Sequence, residues 1–168
     1  MADLRKSQFQ TPIGCLTLLH SKEGLCLAEF TDRVERISRF IGTQSVKDDH
    51  PPQEVKHALT DYFNGRLSAL EAIEIFPIGT DYQRKVWTYL QTIPLGTTQS
   101  YGEMATAINS SARAVGTANG RNNLALFIPC HRVIGKDGRL TGYAGGLDRK
   151  HWLLRHEEAL EGTHEFPF

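Results

Sequence analysis

Cysteine is scarce in this chain, which carries only Cys15, Cys26 and Cys130 among 168 residues. There is no C-x-x-C pair and no even set, which excludes a small secreted domain stapled by disulfides and leaves three free thiols as the expectation. Cys15, His20 and Cys26 could be imagined as metal ligands. Both cysteines sit in apolar, strand-like runs, however, where small buried thiols are common, and no metal is expected. An excess of one charge is also missing. Lys and Arg number 19 against 19 Asp and Glu, which argues against a strongly basic nucleic-acid-binding arm. No apolar run approaches the ~20 residues needed to span a bilayer. The opening Met1-Ala2-Asp3-Leu4-Arg5-Lys6-Ser7 lacks the apolar stretch of a secretory signal. No membrane partner is expected, and a cytoplasmic or nuclear location is.

What is present is an ordinary globular composition, 40% hydrophobic and 23% charged, on a chain long enough for one large domain or two small ones. The charge is unevenly placed: 9 basic against 11 acidic residues up to Gly79, then 6 against 2 from Thr80 to Lys136. That second stretch is a modest basic region suited to weak phosphate contacts. Residues 7–30 read as three short strands, with turns at Thr11-Pro12-Ile13-Gly14 and Lys22-Glu23-Gly24. Val34, Ile37 and Ile41 recur at helical spacing, as do Val55, Leu59, Tyr62 and Phe63, and the polar stretch Gly42 to Gln53 reads as the loop between them. Asn64-Gly65 stops the second helix.

A boundary falls near Pro77-Ile78-Gly79. Thr80 with Gln83 and Ser100 with Glu103 fit capping boxes, opening helices with apolar stripes at Val86, Leu90 and Ile93 and at Met104 and Ile108. After Asn109-Ser110-Ser111 a further helix runs from Ala112 to Ala118, closed by Asn119-Gly120. The fold class expected is α+β, with a small α+β domain over residues 1–78 and a mainly helical domain over residues 79–168. Two short helices joined by about three polar residues match a helix-turn-helix, and the same spacing suits an ordinary helical hairpin equally well.

The second helix of that pair is unusual. A major-groove reader needs long polar side chains, yet Ala112, Ala114, Val115, Gly116 and Ala118 offer none, and Arg113 is the single long one. Gly116 costs about 1 kcal/mol relative to alanine in a helix, so a close approach to another surface is a plausible compensation. A small-residue helix could enter the narrower minor groove, and one arginine could replace an extruded base; a face packed on another helix serves the composition as well. Further on, Leu124-Ala125-Leu126-Phe127-Ile128 reads as a buried strand that Pro129 ends. Cys130 would then face a pocket beside His131 and Arg132, which could favour the nucleophilic thiolate. A lone Cys-His pair is more often structural. In the last helix Leu153, Leu154 and Leu160 define an apolar stripe, and Glu157 lies on that face. A carboxylate facing a core needs a partner. His131 would suit, since a carboxylate fixes the ring's tautomer; backbone N–H groups or a nearby arginine would suit too.

From Thr80 to Glu157 the chain closely resembles the O6-alkylguanine-DNA alkyltransferases, the methylated-DNA–protein-cysteine methyltransferases. The resemblance rests on Ala112-Arg113-Ala114-Val115-Gly116, Ile128-Pro129-Cys130-His131-Arg132-Val133, Gly142-Tyr143-Ala144-Gly145-Gly146 and Trp152-Leu153-Leu154-Arg155-His156-Glu157, in order and at family spacing. The first half matches loosely, through the Thr11-Pro12-Ile13-Gly14 turn and the strand order, and there the family has a small ribonuclease H-like sheet domain. The resemblance implies that Cys130 is the alkyl acceptor and that His131 and Glu157 deprotonate it through a bound water. It makes Arg113 the finger that fills the gap left by a flipped nucleotide, on a helix whose Ala112, Ala114 and Gly116 lie against DNA. Tyr101 matches the tyrosine that helps rotate the nucleotide and hydrogen-bonds the departing guanine. Asn122 matches the asparagine that braces the turn before the acceptor. Tyr143 and the Ala144 N–H match the loop closing the pocket, and the carbonyls of Cys130 and Val133 match those that recognise the guanine amino group. Asn123 departs from the proline the family often has there. The family's eukaryotic zinc ligands do not map onto Cys15 and Cys26, and the four-cysteine module of members that double as activators is not seen.

The implied reaction is stoichiometric repair of O6-alkylguanine, and of O4-alkylthymine, by in-line displacement onto Cys130, with the base flipped out of the stack. No cofactor is implied. The partner is double-stranded DNA, bound through the minor groove with little dependence on sequence by a monomer that can cluster on DNA. A damage-sensing relative that flips the base without repairing it would lack the acceptor cysteine. A cysteine hydrolase would leave the helix-turn-helix without a role, and a sequence-specific regulator is disfavoured by the short side chains of its reading helix.

Overall fold

The computed structural model describes residues 3–159. They form two compact units, one built from residues up to Ile78 together with Asn123–Phe127, the other from Gly79–Asn122 and from Ile128 onward. In the first unit, β1 (Leu4–Thr11), β2 (Gly14–Ser21) and β3 (Gly24–Phe30) form an antiparallel meander. The β1–β2 turn is set by Thr11, whose hydroxyl donates to Gly14 O at 2.6 Å and accepts from Ile13 N–H at 3.1 Å, with Gly14 at φ +123°. Leu4, Leu19, Cys26 and Leu27 form one apolar cluster, covered by Ile37, Phe40 and Ile41 of α1 (Val34–Ile41) and by Val46. Helix α2 (Gln53–Phe63) buries Val55, Ala58, Leu59 and Tyr62, and its chain is turned by Asn64 and by Gly65 at φ +105°.

Two stretches differ from the sequence expectation. Gly42 to Gln53, read as a loop, contains β4 (Val46–Asp48), which pairs parallel to β1 and makes the sheet order β3-β2-β1-β4. Three residues with one apolar side chain are too short for alternation to be visible. Leu124–Ile128, read as a strand, is buried but is not one. Leu124 makes a single bridge to Ala28, through Asn123 O and Ala125 N–H, and the chain then coils through turns with Leu126 at φ +74°. On the same strand Leu25 bridges Ile75, so short crossings rather than a further strand occupy this edge of β3.

The second unit is mainly helical. Helix α3 (Asp81–Leu90) begins with the reciprocal Thr80–Gln83 capping box and buries Val86, Trp87 and Leu90. A two-residue parallel ribbon joins β5 (Gln99–Ser100) to β6 (Val133–Ile134). Ser100 caps α4 (Tyr101–Ala107) by accepting from Glu103 N–H, and Ser111 caps α5 (Ala112–Gly120) by accepting from Ala114 N–H, so two short helices joined by a short polar turn stand where the sequence placed them. Asn119 and Gly120 do not stop α5; they lie within it, and Arg121 is its cap. Helix α6 (Leu147–His156) starts after Gly146 at φ +98° and buries Leu153 and Leu154, while Leu160 lies outside the described residues. The indole Nε1–H of Trp87 donates to Ala118 O at 2.9 Å, pinning α3 to α5.

Gly79 is a position where that pinned ring permits no side chain. A Cβ there would sit 2.5 Å from Trp87 Cη2 and 2.6 Å from Cζ3, and Trp87 is only 2% exposed. Gly79→Ala is expected to destabilise the chain by about 1–3 kcal/mol in urea unfolding; an unchanged midpoint would mean that the indole is free to move.

Candidate active site

The site is assembled on the single 3₁₀ turn Cys130–Arg132, which follows Pro129 directly and leads into β6. Pro129 lacks an N–H, so the turn can begin there without leaving a donor unpaired. Asn122 fixes the approach: its Nδ2 donates to Ile128 O at 2.9 Å, and Cys130 N–H donates to the same carbonyl at 2.8 Å. Cys130 is 6% exposed.

The two residues after Cys130 converge on Glu157, the residue capping α6. His131 Nε2 lies 2.9 Å from Glu157 Oε2, and Arg132 Nε donates to Oε1 at 2.8 Å. Arg132 also donates from Nη1 to Ile93 O at 2.8 Å. All three are buried, His131 completely. Burial by itself would push the Glu157 carboxyl up. The charge and hydrogen bond of His131 and those of Arg132 outweigh it and hold the group well below the usual carboxylate range. A carboxylate can only accept, so Nε2 carries the ring proton and a neutral imidazole has its lone pair on Nδ1. That Nδ1 is buried and has no hydrogen-bond partner among the described residues.

A second buried cation, Lys150, lies on the same face of α6. It is fully buried, and its Nζ donates to Val133 O, to Thr141 O at 2.9 Å and to Gly142 O at 3.3 Å. Its ammonium thereby ties β6 to the loop carrying Thr141 and Gly142. Burial brings its pKa down to about 8, and charge on Cys130 opposes the fall. By reciprocity the ammonium favours the thiolate of Cys130. Tyr101, at the start of α4, donates to Thr141 O at 3.1 Å, and Lys150 Nζ lies 6.0 Å from its ring centre. Burial raises the Tyr101 pKa, as does charge on Cys130, while hydrogen bonds with Thr141 and Asn119 oppose the rise. Tyr143 and Ala144 are half-buried in the loop that ends at Gly146, where Gly146 N–H donates to Tyr143 O at 2.9 Å.

The candidate DNA-facing residues lie on α5. Ala112 and Arg113 are exposed, and Ala114 and Gly116 are half-buried. Arg113 and Ala114 border an open groove of about 400 Å³ with Thr80, Tyr82, Gln83, Ser111, Thr117 and Ala118. Cys130 is not among its lining residues. Among the described residues no cluster of His, Cys, Asp and Glu could hold a metal. Cys26 donates its thiol to Leu19 O at 3.3 Å, and burial pushes its pKa up to about 11, which suits a core thiol. No described helix is long and apolar enough to cross a membrane.

Two residues of this site escaped the sequence reading, Lys150 and Asn119, while Arg132 is the arginine that the sequence had left open as a partner of Glu157. A signal for Lys150 exists, because Lys150, Leu153, Leu154 and Glu157 share one helical face. Asn119 likewise shares the inner face of α5 with Val115 and Ala118, and all three are buried.

Family comparisons agree with this architecture. The 6-O-methylguanine DNA methyltransferase DNA-binding domain matches residues 81–159 and the ribonuclease-like domain of the same family matches residues 4–77. A methylated-DNA–protein-cysteine methyltransferase of Salmonella typhimurium is 40% identical over 170 residues, covering 95% of this chain and 99% of the relative. One from Methanosarcina acetivorans is 41% identical, covering 92% and 96%. Among solved structures, the O6-methylguanine methyltransferase of Mycobacterium tuberculosis superposes with TM-score 0.82 at 38% identity, covering 96% of each chain. A complex of that organism's protein with DNA gives TM-score 0.81 at 39% identity, covering 92% and 93%. The chain belongs to the 6-O-methylguanine DNA methyltransferase family.

Because the folded Glu157 carboxyl lies below its ordinary value near 4.5, the stability it confers is present above that value and is lost as pH falls below it. Glu157→Gln is expected to cost about 3–5 kcal/mol at pH 7, the scale of breaking a buried pair. It should also flatten the fall in stability between pH 6 and pH 3 measured by urea unfolding. Parallel pH curves for the two proteins would contradict the assigned role.

Proposed function

We infer that this chain repairs DNA by moving a methyl or other alkyl group from O6-alkylguanine, and from O4-alkylthymine, onto Cys130, once per molecule. The observation that carries the reading is the buried Cys130-His131 turn, whose imidazole is oriented by Glu157. A histidine with its proton fixed on Nε2 is a base at Nδ1. It takes the thiol proton, directly or through one water, and Glu157 stabilises the imidazolium that results. The Sγ–C bond then forms in line as the C–O6 bond breaks, and the electron pair stays with the guanine. Tyr101 meets the developing charge on the leaving base. The thioether has no internal route back to thiol, so repair ends with the protein spent.

In this reading Tyr143 and the Ala144 N–H close the pocket, and the Cys130 and Val133 carbonyls take the guanine amino group. Asn122 keeps the turn in register with them. Arg113 fills the stack vacated by the flipped nucleotide, whose extrusion costs a few kcal/mol. Ala112, Ala114 and Gly116 let α5 lie close in the minor groove. A Cβ on Gly116 would meet only the Tyr101 ring, at 3.8 Å, an ordinary contact, so internal packing does not demand glycine there and a close external surface gives it a reason. With no long base-reading side chains on α5, binding is largely independent of sequence. The protein acts as a cytoplasmic monomer that can cluster on DNA. Residues 79–168 carry the chemistry, and residues 1–78 form a separate domain.

Cys130→Ala is expected to abolish methyl transfer from an O6-methylguanine duplex while leaving affinity for that duplex within about 3-fold, since the thiol makes only a small part of a DNA interface. Demethylation of the duplex by this variant would refute the assignment.

A further inference from the structure

The two oxygens of Glu157 are taken by two different kinds of donor. Oε2 lies 2.9 Å from His131 Nε2, and Oε1 accepts from Arg132 Nε at 2.8 Å. A buried carboxylate needs its lone pairs satisfied, and any neutral N–H or hydroxyl would serve at Oε1. A guanidinium does more, because it does not lose its proton and so fixes a positive charge beside the carboxylate at every pH. Arg132 is itself only 8% exposed, and its second hydrogen bond, from Nη1 to Ile93 O at 2.8 Å, keeps the group from swinging away. With Arg132 in place the cluster is neutral when the His131 ring is neutral. With a neutral residue there, the buried carboxylate would be balanced only by an extra proton on the carboxylate–imidazole pair. A ring carrying both protons has no base left to offer Cys130. The other titratable groups about the turn are Lys150, which donates to Val133 O and interacts with charge on Cys130, and Tyr101 at the start of α4. His151 has Arg155 and Asp148 of its own helix as charged neighbours, and α3 and α5 bury no ionisable side chain.

We propose that Arg132 is a positioning residue for alkyl transfer, whose fixed charge on Glu157 keeps the His131 ring in the neutral form that takes the Cys130 proton. The inference rests on the alkyl-transfer reading above and adds to it a residue that acts only through Glu157. Coulomb's law sets the sign. A cation beside the Cys130–His131 pair opposes a proton on that pair, whichever of the two groups holds it. Removing the cation therefore makes the pair release its proton at higher pH. A residue that only filled space, or only held the chain at Ile93, would change the rate of transfer without moving that pH.

The test is the pH profile of the single-turnover rate of methyl gain at Cys130, read by rapid-quench mass spectrometry with saturating O6-methylguanine duplex between pH 5 and pH 9. Arg132→Met should move the acid limb of that profile upward by about one to two pH units. Arg132→Gln, which keeps an N–H donor and loses the charge, should move it in the same direction. Arg132→Lys, which keeps the charge, should leave the limb close to that of the unsubstituted protein. An unmoved limb in both neutral variants, or a lysine variant shifted as far as the methionine one, would overturn the inference alone. A second measurement reads the ring directly, by nitrogen NMR of labelled histidine in Cys130→Ala at pH 7. The inference expects a neutral His131 with its proton on Nε2, and a doubly protonated ring would overturn it. That reading decides the matter if neither neutral variant folds. Failure of the unsubstituted protein to gain a methyl on Cys130 would overturn the alkyl-transfer reading and this inference with it.

Discussion

The carboxylate of Glu157 is the constraint on which the rest of the second unit depends. It is a buried charge, and burying one without partners would cost several kcal/mol after relaxation. Two partners adjacent in sequence, His131 and Arg132, reach its two oxygens at 2.9 and 2.8 Å. They can do so only because the chain turns through a 3₁₀ step after Pro129, bringing consecutive side chains to one side. That requirement fixes the position of Cys130, at the head of the turn. The arginine also holds Ile93 O, so the loop after α3 is bound into the same cluster. Replacing such a cluster with apolar residues would often be neutral or stabilising. Its presence is better explained by the proton chemistry it imposes on His131 than by the stability it contributes.

Lys150 extends the same logic to the loop. A fully buried ammonium is tolerated because three backbone carbonyls accept from it, on β6 and at Thr141 and Gly142. The loop thus acquires a fixed geometry without regular secondary structure. Tyr101 shares the Thr141 carbonyl with Lys150, so the phenol, the loop and β6 form one hydrogen-bonded set. The positive charge that orders the loop is the charge that favours a thiolate at Cys130.

Much of this was legible in the chain. Periodicity located α1, α2, α3 and α6, capping pairs marked the starts of α3 and α4, and Glu157 on an apolar face called for a partner in the core. His131 and an arginine had both been open as that partner, and the carboxylate takes both. What stayed hidden had physical reasons. β4 is three residues long and owes its existence to pairing with β1 rather than to its own pattern. The run from Leu124 to Ile128 has the composition of a strand, but Leu126 takes a positive φ that composition does not reveal, so burial was readable and backbone shape was not. Lys150 and Asn119 are polar residues at inward positions. Their faces could be counted, yet only the fold shows which carbonyls meet them.

The central claim is that Cys130 is a single-use acceptor, and the direct measurement is a titration. Excess O6-methylguanine duplex is mixed with the intact protein, and both the repaired DNA and the protein mass are followed to completion. The account predicts one repaired base per chain and a mass gain of one methylene, which peptide mapping places on Cys130. Continued repair beyond one equivalent, or a methyl found on Cys15 or Cys26 instead, would contradict it.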